Sequence, residues 1–171
     1  RLFQDVRVFG GLTVLENVAI AAMPTSAQWA WRTWFTKVAC DEAVENAKEV
    51  ALRWIKHVDL SGMRDCLARE LSFGEQKLLS LARLFAKGSR FLLLDEPTAG
   101  LSHHMVDKVT LLIRRAVDEE GVTVALVEHN MNVVAKLASW IHFLHEGRIA
   151  FSGQSEHVLG DRSVREIYMG L

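Results

Sequence analysis

The stretch Arg90-Phe-Leu-Leu-Leu-Asp-Glu-Pro97 decides how the rest of the chain is read. Phe91 to Leu94 are consecutive apolar residues that run straight into two carboxylates, Asp95 and Glu96. A short unbroken apolar run predicts a strand buried on both faces of a parallel sheet, and Pro97 stops it. A buried carboxylate needs a cation or hydrogen-bond donors. In α/β sheets, ligands collect beyond the carboxyl ends of the strands. The pair therefore points to one acid holding a metal ion while its neighbour, directed the other way, handles a water. An ordinary strand running into an acidic surface turn would show the same residues, so the decision rests on what surrounds them.

Downstream, Thr98-Ala-Gly-Leu-Ser102 reads as a loop, with Ser102 as the N-cap of a helix that turns Met105, Val106, Val109, Leu112, Ile113 and Ala116 inward. Gly121 is its stop. Val122 to Val127 predicts a second buried strand, ending in the polar Glu128-His129-Asn130, with Asn130 capping a helix over 131–138. Trp140 to His145, a turn at Glu146-Gly147 and Arg148 to Phe151 predict a β-hairpin. Short helices around 156–159 and 163–169 close the chain.

Upstream, Leu71-Ser-Phe-Gly-Glu-Gln-Lys77 opens a helix reaching about Lys87, with Leu78, Leu81, Ala82 and Phe85 as its apolar stripe. Ser72 and Glu75 form a capping box, as do Thr13 and Glu16 ahead of a helix over 14–23. Such a box by itself usually marks only a helix start. Asp41 to His57 is strongly amphipathic, with Val44, Ala47, Ala51, Trp54, Ile55 and Val58 on one side. Residues 59–70 read as a polar connection. Trp29, Trp31, Trp34 and Phe35 lie in a stretch without clean periodicity, open to two readings: a membrane-surface or partner contact, or an aromatic cluster closing a small helical subdomain. Strands alternating with helices imply a parallel sheet with right-handed crossovers.

Composition narrows the function. The chain has 171 residues, a net charge of −1 and an ordinary globular composition, so nothing suggests bulk attraction to nucleic acid or anionic lipid. Cys40 and Cys66 are far apart and lack zinc-site spacing, which argues for a reducing compartment and against a disulfide scaffold. The longest uncharged run, 17–31, is too short to span a bilayer. His103 and His104 open a helix, carry no motif and are expected in solvent.

The order Gln4, helical block, Leu71-Ser-Phe-Gly-Glu-Gln, Phe-Leu-Leu-Leu-Asp-Glu-Pro, Ala-Gly-Leu-Ser, then a strand ending in Glu-His resembles the ATP-binding-cassette ATPases over essentially the whole chain. The resemblance implies an α/β fold of P-loop NTPase (RecA-like) type, a mostly parallel sheet with an inserted helical subdomain. It implies ATP and Mg²⁺ as cofactors. Asp95 resembles the Walker B aspartate that holds Mg²⁺, mostly through water. Glu96 resembles the carboxylate that polarises the hydrolytic water. Gln4 resembles the Q-loop glutamine, reaching the Mg²⁺ and the attacking water. His129 resembles the switch histidine. Ala99, Gly100, Leu101 and Ser102 resemble the D-loop at a dimer interface, where Ser102 departs from the usual Asp or Asn. Ser72, Phe73, Gly74 and Glu75 resemble the signature motif, which takes the phosphate of ATP held by the opposite subunit. A helix N-terminus suits a phosphate, so the capping reading and this one are compatible.

Phe73 in place of the commoner Gly, together with the ending Val164-Arg-Glu-Ile-Tyr-Met-Gly-Leu171, is similar to the importers of branched-chain amino acids and urea-like amides. That subgroup implies a second ATPase subunit, identical or not. It also implies transmembrane permease subunits contacted through the Q-loop and helical subdomain, a peripheral place on the cytoplasmic face of the membrane, and no nucleic acid. The expected division is 1–9 for the Q-loop end of the core, 10–88 for the helical subdomain and 89–171 for the second half of the core. No Gly-x-x-x-x-Gly-Lys-Ser/Thr occurs in the sequence, and the chain starts at Arg1 rather than Met. The expectation is an N-terminally truncated chain lacking the phosphate-binding loop, with an exposed sheet edge and poor solubility by itself. The alternatives are a non-transport cassette ATPase and a catalytically inactive fragment. The absence of heptads and basic tracts between Gln4 and Ser72 weighs against the first of these.

Overall fold

The computed structural model describes residues 8–23 and 37–169. Gln4 and the aromatic stretch Trp29 to Phe35 lie outside the described residues. The chain divides into two compact units, Arg1–Val127 and Glu128–Leu171.

The first unit begins with α1 (Val14–Ala22), which the Thr13–Glu16 box starts as expected. The Thr13 amide donates to Glu16 Oε2 at 2.7 Å, and the Glu16 amide donates to Thr13 Oγ1 at 3.1 Å. Helix α2 (Lys37–His57) starts earlier than Asp41, because Lys37 to Cys40 contains no Gly or Pro to break it. Its buried stripe is Ala47, Ala51, Trp54 and Ile55, with Val58 buried just beyond its end. The Trp54 ring stacks on Phe85 of α3 (Phe73–Ala86) at 5.0 Å between centroids. Thus three helices bury one another's apolar stripes.

The segment between α2 and α3 holds two 3₁₀ turns, Ser61–Met63 and Ala68–Glu70. It is tied to the residues entering α1. Val14 donates to Cys66 O at 3.0 Å, Leu15 donates to Arg64 O at 2.9 Å, and Ala68 donates to Leu12 O at 2.9 Å. Asn17, fully buried, completes this seam. Its Oδ1 accepts from the Phe9 amide at 2.9 Å, and its Nδ2 donates to the carbonyls of Phe9, Leu12 and Thr13 at 2.9–3.2 Å. A buried amide is tolerable only when its polar atoms are satisfied in this way.

Strands β1 (Phe91–Asp95) and β2 (Thr123–Val127) run parallel, with Phe91 opposite Thr123 and Asp95 opposite Val127. They are joined by α4 (His103–Glu120), which buries Val109, Thr110, Leu112, Ile113 and Ala116. It ends at Gly121, whose φ of 63° suits a residue without Cβ. The expectation that both strands are buried on two faces is corrected. Leu92 and Leu94 are buried, but Phe91 is 57% exposed and Leu93 46%, and Val127 of β2 is 65% exposed. Side chains of a strand alternate between faces, and in β1 only the face that carries Leu92 and Leu94 is buried. An unbroken apolar run does not say which faces are covered.

The second unit contains α5 (Met131–Leu137), whose Asn130 cap accepts from the Asn132 amide at 3.1 Å. Strands β3 (Trp140–His145) and β4 (Arg148–Gln154) form the antiparallel hairpin. β4 runs further than Phe151, and the register shifts beside Phe143 and Leu144. Glu146 and Gly147 have φ of 48° and 74°, the positive pair that a two-residue hairpin turn requires. Helices α6 (Ser155–Gly160) and α7 (Arg162–Met169) finish the unit, and Val133, Val158 and Val164 form its buried centre.

Candidate active site

Two sequence segments meet in the first unit. The first is the start of α3. Ser72 has the extended backbone of an N-cap, with φ −61° and ψ 161°. Its amide donates to Glu75 Oε2 at 2.8 Å, its hydroxyl donates to the same oxygen at 2.6 Å, and the Glu75 amide donates to Ser72 Oγ at 3.4 Å. Gln76 Nε2 donates to the carbonyls of Ala68 and Leu71, which pins the chain entering the cap. Ser72 and Phe73 remain exposed.

The second segment is the turn after β1. Asp95 and Glu96 are both half-buried, and Pro97 and Thr98 are buried behind them. Glu96 has φ of 44°, a left-handed conformation that is costly for a residue with a side chain. Its amide donates to Val127 O at 2.9 Å, which extends the β1–β2 ladder by one step. Its carbonyl accepts from the Ala99 amide at 3.2 Å, which closes the turn. The same carbonyl accepts from Lys77 Nζ at 3.2 Å. Both peptide groups flanking the Glu96 Cα are therefore held, which fixes where the side chain leaves the backbone.

Phe73 joins the two segments a second time. Gly100, at φ of 75°, has no Cβ, and a Cβ there would come within 3.4 Å of Phe73 Cε1. A Cβ on Gly74 would come within 3.0 Å of Met105 Cε. The start of α3 thus meets the segment after β1 at three points: Phe73 beside Gly100, Gly74 beside Met105, and Lys77 on the Glu96 carbonyl. Ser102 stands at the start of α4 as expected, but its hydroxyl makes no capping hydrogen bond. His103 and His104 are exposed, as expected. His129 belongs to the second unit, where it is exposed, and its amide donates to Glu128 Oε2 at 3.2 Å.

Lys77 was absent from the sequence expectations, which placed α3's stripe on Leu78, Leu81, Ala82 and Phe85. A signal was available. Lys77, Leu81 and Phe85 are spaced by four, so the lysine stands on the buried face of an otherwise apolar stripe. It is 1% exposed.

A divalent cation fits the donors present. Asp95, at the end of β1, offers hard carboxylate oxygens, and no group of three or more His, Cys, Asp or Glu that could hold a metal occurs among the described residues. Mg²⁺ commonly takes only one or two carboxylates and completes its shell with water and substrate phosphates.

A family model described as ABC transporter matches residues 1–99. The chain is 31% identical to the high-affinity branched-chain amino acid transport ATP-binding protein BraF of Pseudomonas aeruginosa over 170 residues, which covers 99% of this chain and 67% of that protein. It is 31% identical over 116 residues to the lipopolysaccharide export system ATP-binding protein LptB of Acidithiobacillus ferridurans, covering 68% of this chain and 48% of that one. Among solved structures it resembles the dimeric post-hydrolysis state of the ATP-binding cassette MJ0796 bound to ADP and Pi. The TM-score is 0.69 at 25% identity, covering 90% of this chain and 61% of that chain. The chain spans about two thirds of the length of BraF and less of the other two. The expected P-loop NTPase-like α/β fold is therefore that of the ATP-binding cassettes, with the parallel pair β1–β2 as the part of its sheet that carries Asp95 and Glu96. By the match over residues 1–99 and the 31% identity to BraF over 99% of this chain, the chain belongs to the ABC transporter family.

Proposed function

We propose that the chain binds and hydrolyses ATP as part of a transporter subunit, and that the hydrolysis drives uptake of branched-chain amino acids or urea-like amides. The observation that carries this reading is the held turn at Glu96: a carboxylate at the end of a parallel strand, in a strained conformation fixed by hydrogen bonds on both sides. Import rather than export rests on the nearly complete coverage by BraF and on the aromatic Phe73. The likeness to LptB covers a smaller part of the chain.

In this reading Asp95 and Gln4 hold Mg²⁺, Asp95 mostly through water. When bound, that ion neutralises charge on the phosphate oxygens. Glu96 accepts a hydrogen bond from the attacking water and aligns it with the γ-phosphorus; His129 donates to the γ-phosphate. Ser72, Phe73, Gly74 and Glu75 present a helix N-terminus to the nucleotide of a second ATPase subunit, and Ala99 to Ser102 lie at the boundary with that subunit. The helical block 10–88 transmits closure to membrane permease subunits. No helix among the described residues is long and apolar enough to cross a membrane, which fits a peripheral subunit on the cytoplasmic face.

The test is Glu96→Gln in the protein carrying this chain, assembled with its partners. Removing the carboxylate should lower hydrolysis by about 10²-fold or more while ATP binding is retained and the dimer is stabilised. Hydrolysis at the wild-type rate would remove Glu96 from its role.

A further inference from the structure

Lys77 occupies an expensive position. It lies on the buried stripe of α3, 1% exposed, where a hydrophobic residue of similar length would pack without the cost of desolvating a charge. Its Nζ donates to Glu96 O at 3.2 Å and lies 6.0 Å from the centroid of the Phe73 ring. Phe73 in turn packs against Gly100, four residues beyond Glu96. Glu96 itself sits at φ of 44°, a conformation that persists only where the surroundings over-determine it. Of the contacts that fix it, the Val127 and Ala99 bonds belong to the strand pair and its turn. The Lys77 bond comes from the helix whose first residues are proposed to meet a nucleotide.

We infer that Lys77 is a positioning residue: its ammonium holds the Glu96 peptide so that the carboxylate keeps the direction hydrolysis needs, and it ties that direction to the start of α3. The inference rests on the hydrolytic role proposed for Glu96. A ligand seated at Ser72 of α3 would bear on a helix locked to the Glu96 turn of the same subunit. Engagement of one nucleotide would then be felt at the carboxylate that serves the other. Lys77 touches no reacting atom in this account.

The experiment compares Lys77→Met and Lys77→Arg with the wild-type protein, assembled with its partners, for kcat, KM for ATP, ATP affinity and melting temperature. Methionine keeps the length and loses the donor, and Glu96 O keeps its Ala99 partner, so the fold should hold. Lys77→Met should lower kcat by about ten-fold or more with KM and ATP affinity changed by less than about two-fold, and Lys77→Arg should restore most of the rate. If Lys77→Met does not accumulate in folded form, Lys77→Leu, which also lacks a donor, carries the same expectation. A kcat within about two-fold of wild type in the donor-free variant overturns the inference. So does a loss of rate that follows falling melting temperature and ATP affinity together and is not recovered by arginine. Glu96→Gln separates the two levels. If Glu96→Gln abolishes hydrolysis and Lys77→Met leaves it intact, only the positioning role falls. If hydrolysis survives Glu96→Gln, the role of Glu96 falls and the positioning role with it.

Discussion

Two helices of the first unit begin with the same device and end up in different situations. Thr13 and Glu16 start α1, Ser72 and Glu75 start α3, and the reciprocal hydrogen bonds are nearly superimposable in kind. Around α1 the neighbours are structural. Val14 and Val18 are fully buried, and the entering chain is stitched to residues 64–69 and to Asn17. Around α3 the cap is left open, Phe73 is 52% exposed, and the first buried turn carries a lysine that reaches the Glu96 turn. A capping box says that a helix begins. What the first turn touches, four to seven residues later, says whether the beginning is also a site.

This contrast can be broken by substitution. The largest effect is expected at the second cap. Ser72→Arg places a bulky cation where a phosphate is proposed to approach, and hydrolysis should fall roughly 10²-fold with the subunit still folded. An unchanged rate would reduce Ser72 to a cap like Thr13. Next in size is Gly100→Ala. A side chain in the left-handed region, against the Phe73 ring, should cost about 1–2 kcal/mol of stability, read as a lower denaturant midpoint. A midpoint equal to wild type would show that Phe73 and Gly100 are not held together. Thr13→Ala should cost about 1 kcal/mol through loss of the cap, with hydrolysis per folded subunit unchanged. A specific loss of rate there would erase the distinction between the two helix starts.

The smallest effect concerns Glu16. The hydrogen bonds from the Thr13 amide and hydroxyl hold its carboxyl below the usual glutamate range. A folded value below the unfolded one means that the contribution is present above the unfolded pKa and lost as pH falls through the folded value. The difference in melting temperature between wild type and Glu16→Gln should therefore be visible at neutral pH and close on acidification. A difference that persists at low pH would show that the ionised carboxylate is not what the cap uses.

Local features were legible in the sequence because their causes are local. Both capping boxes, the stop at Gly121, the Asn130 cap and the Glu146-Gly147 turn each depend on residues within four positions, and each forms as the chemistry dictates. The strand carrying Asp95 and Glu96 was legible for the same reason. Its burial was misjudged, because a run of apolar residues does not reveal which of the two faces is covered. Lys77 and Asn17 were passed over because their partners are set by tertiary packing. Lys77 reaches a carbonyl 19 residues on, and Asn17 satisfies the backbone of Phe9, Leu12 and Thr13. Their one sequence sign was a polar residue at helical spacing on an apolar stripe. Gln4 was read from the same family pattern and lies outside the described residues, and His129 stands in the second unit.

The most direct measurement is hydrolysis by mixed dimers of the assembled protein carrying Glu96→Gln and Ser72→Arg. If Ser72 serves the site across the dimer, placing the two substitutions on opposite subunits leaves one intact site, whereas placing both on one subunit, beside a wild-type partner, damages both. The account predicts that the opposite-subunit dimer hydrolyses ATP several-fold faster than the same-subunit dimer. The reverse order would contradict it and assign Ser72 to the site of its own chain.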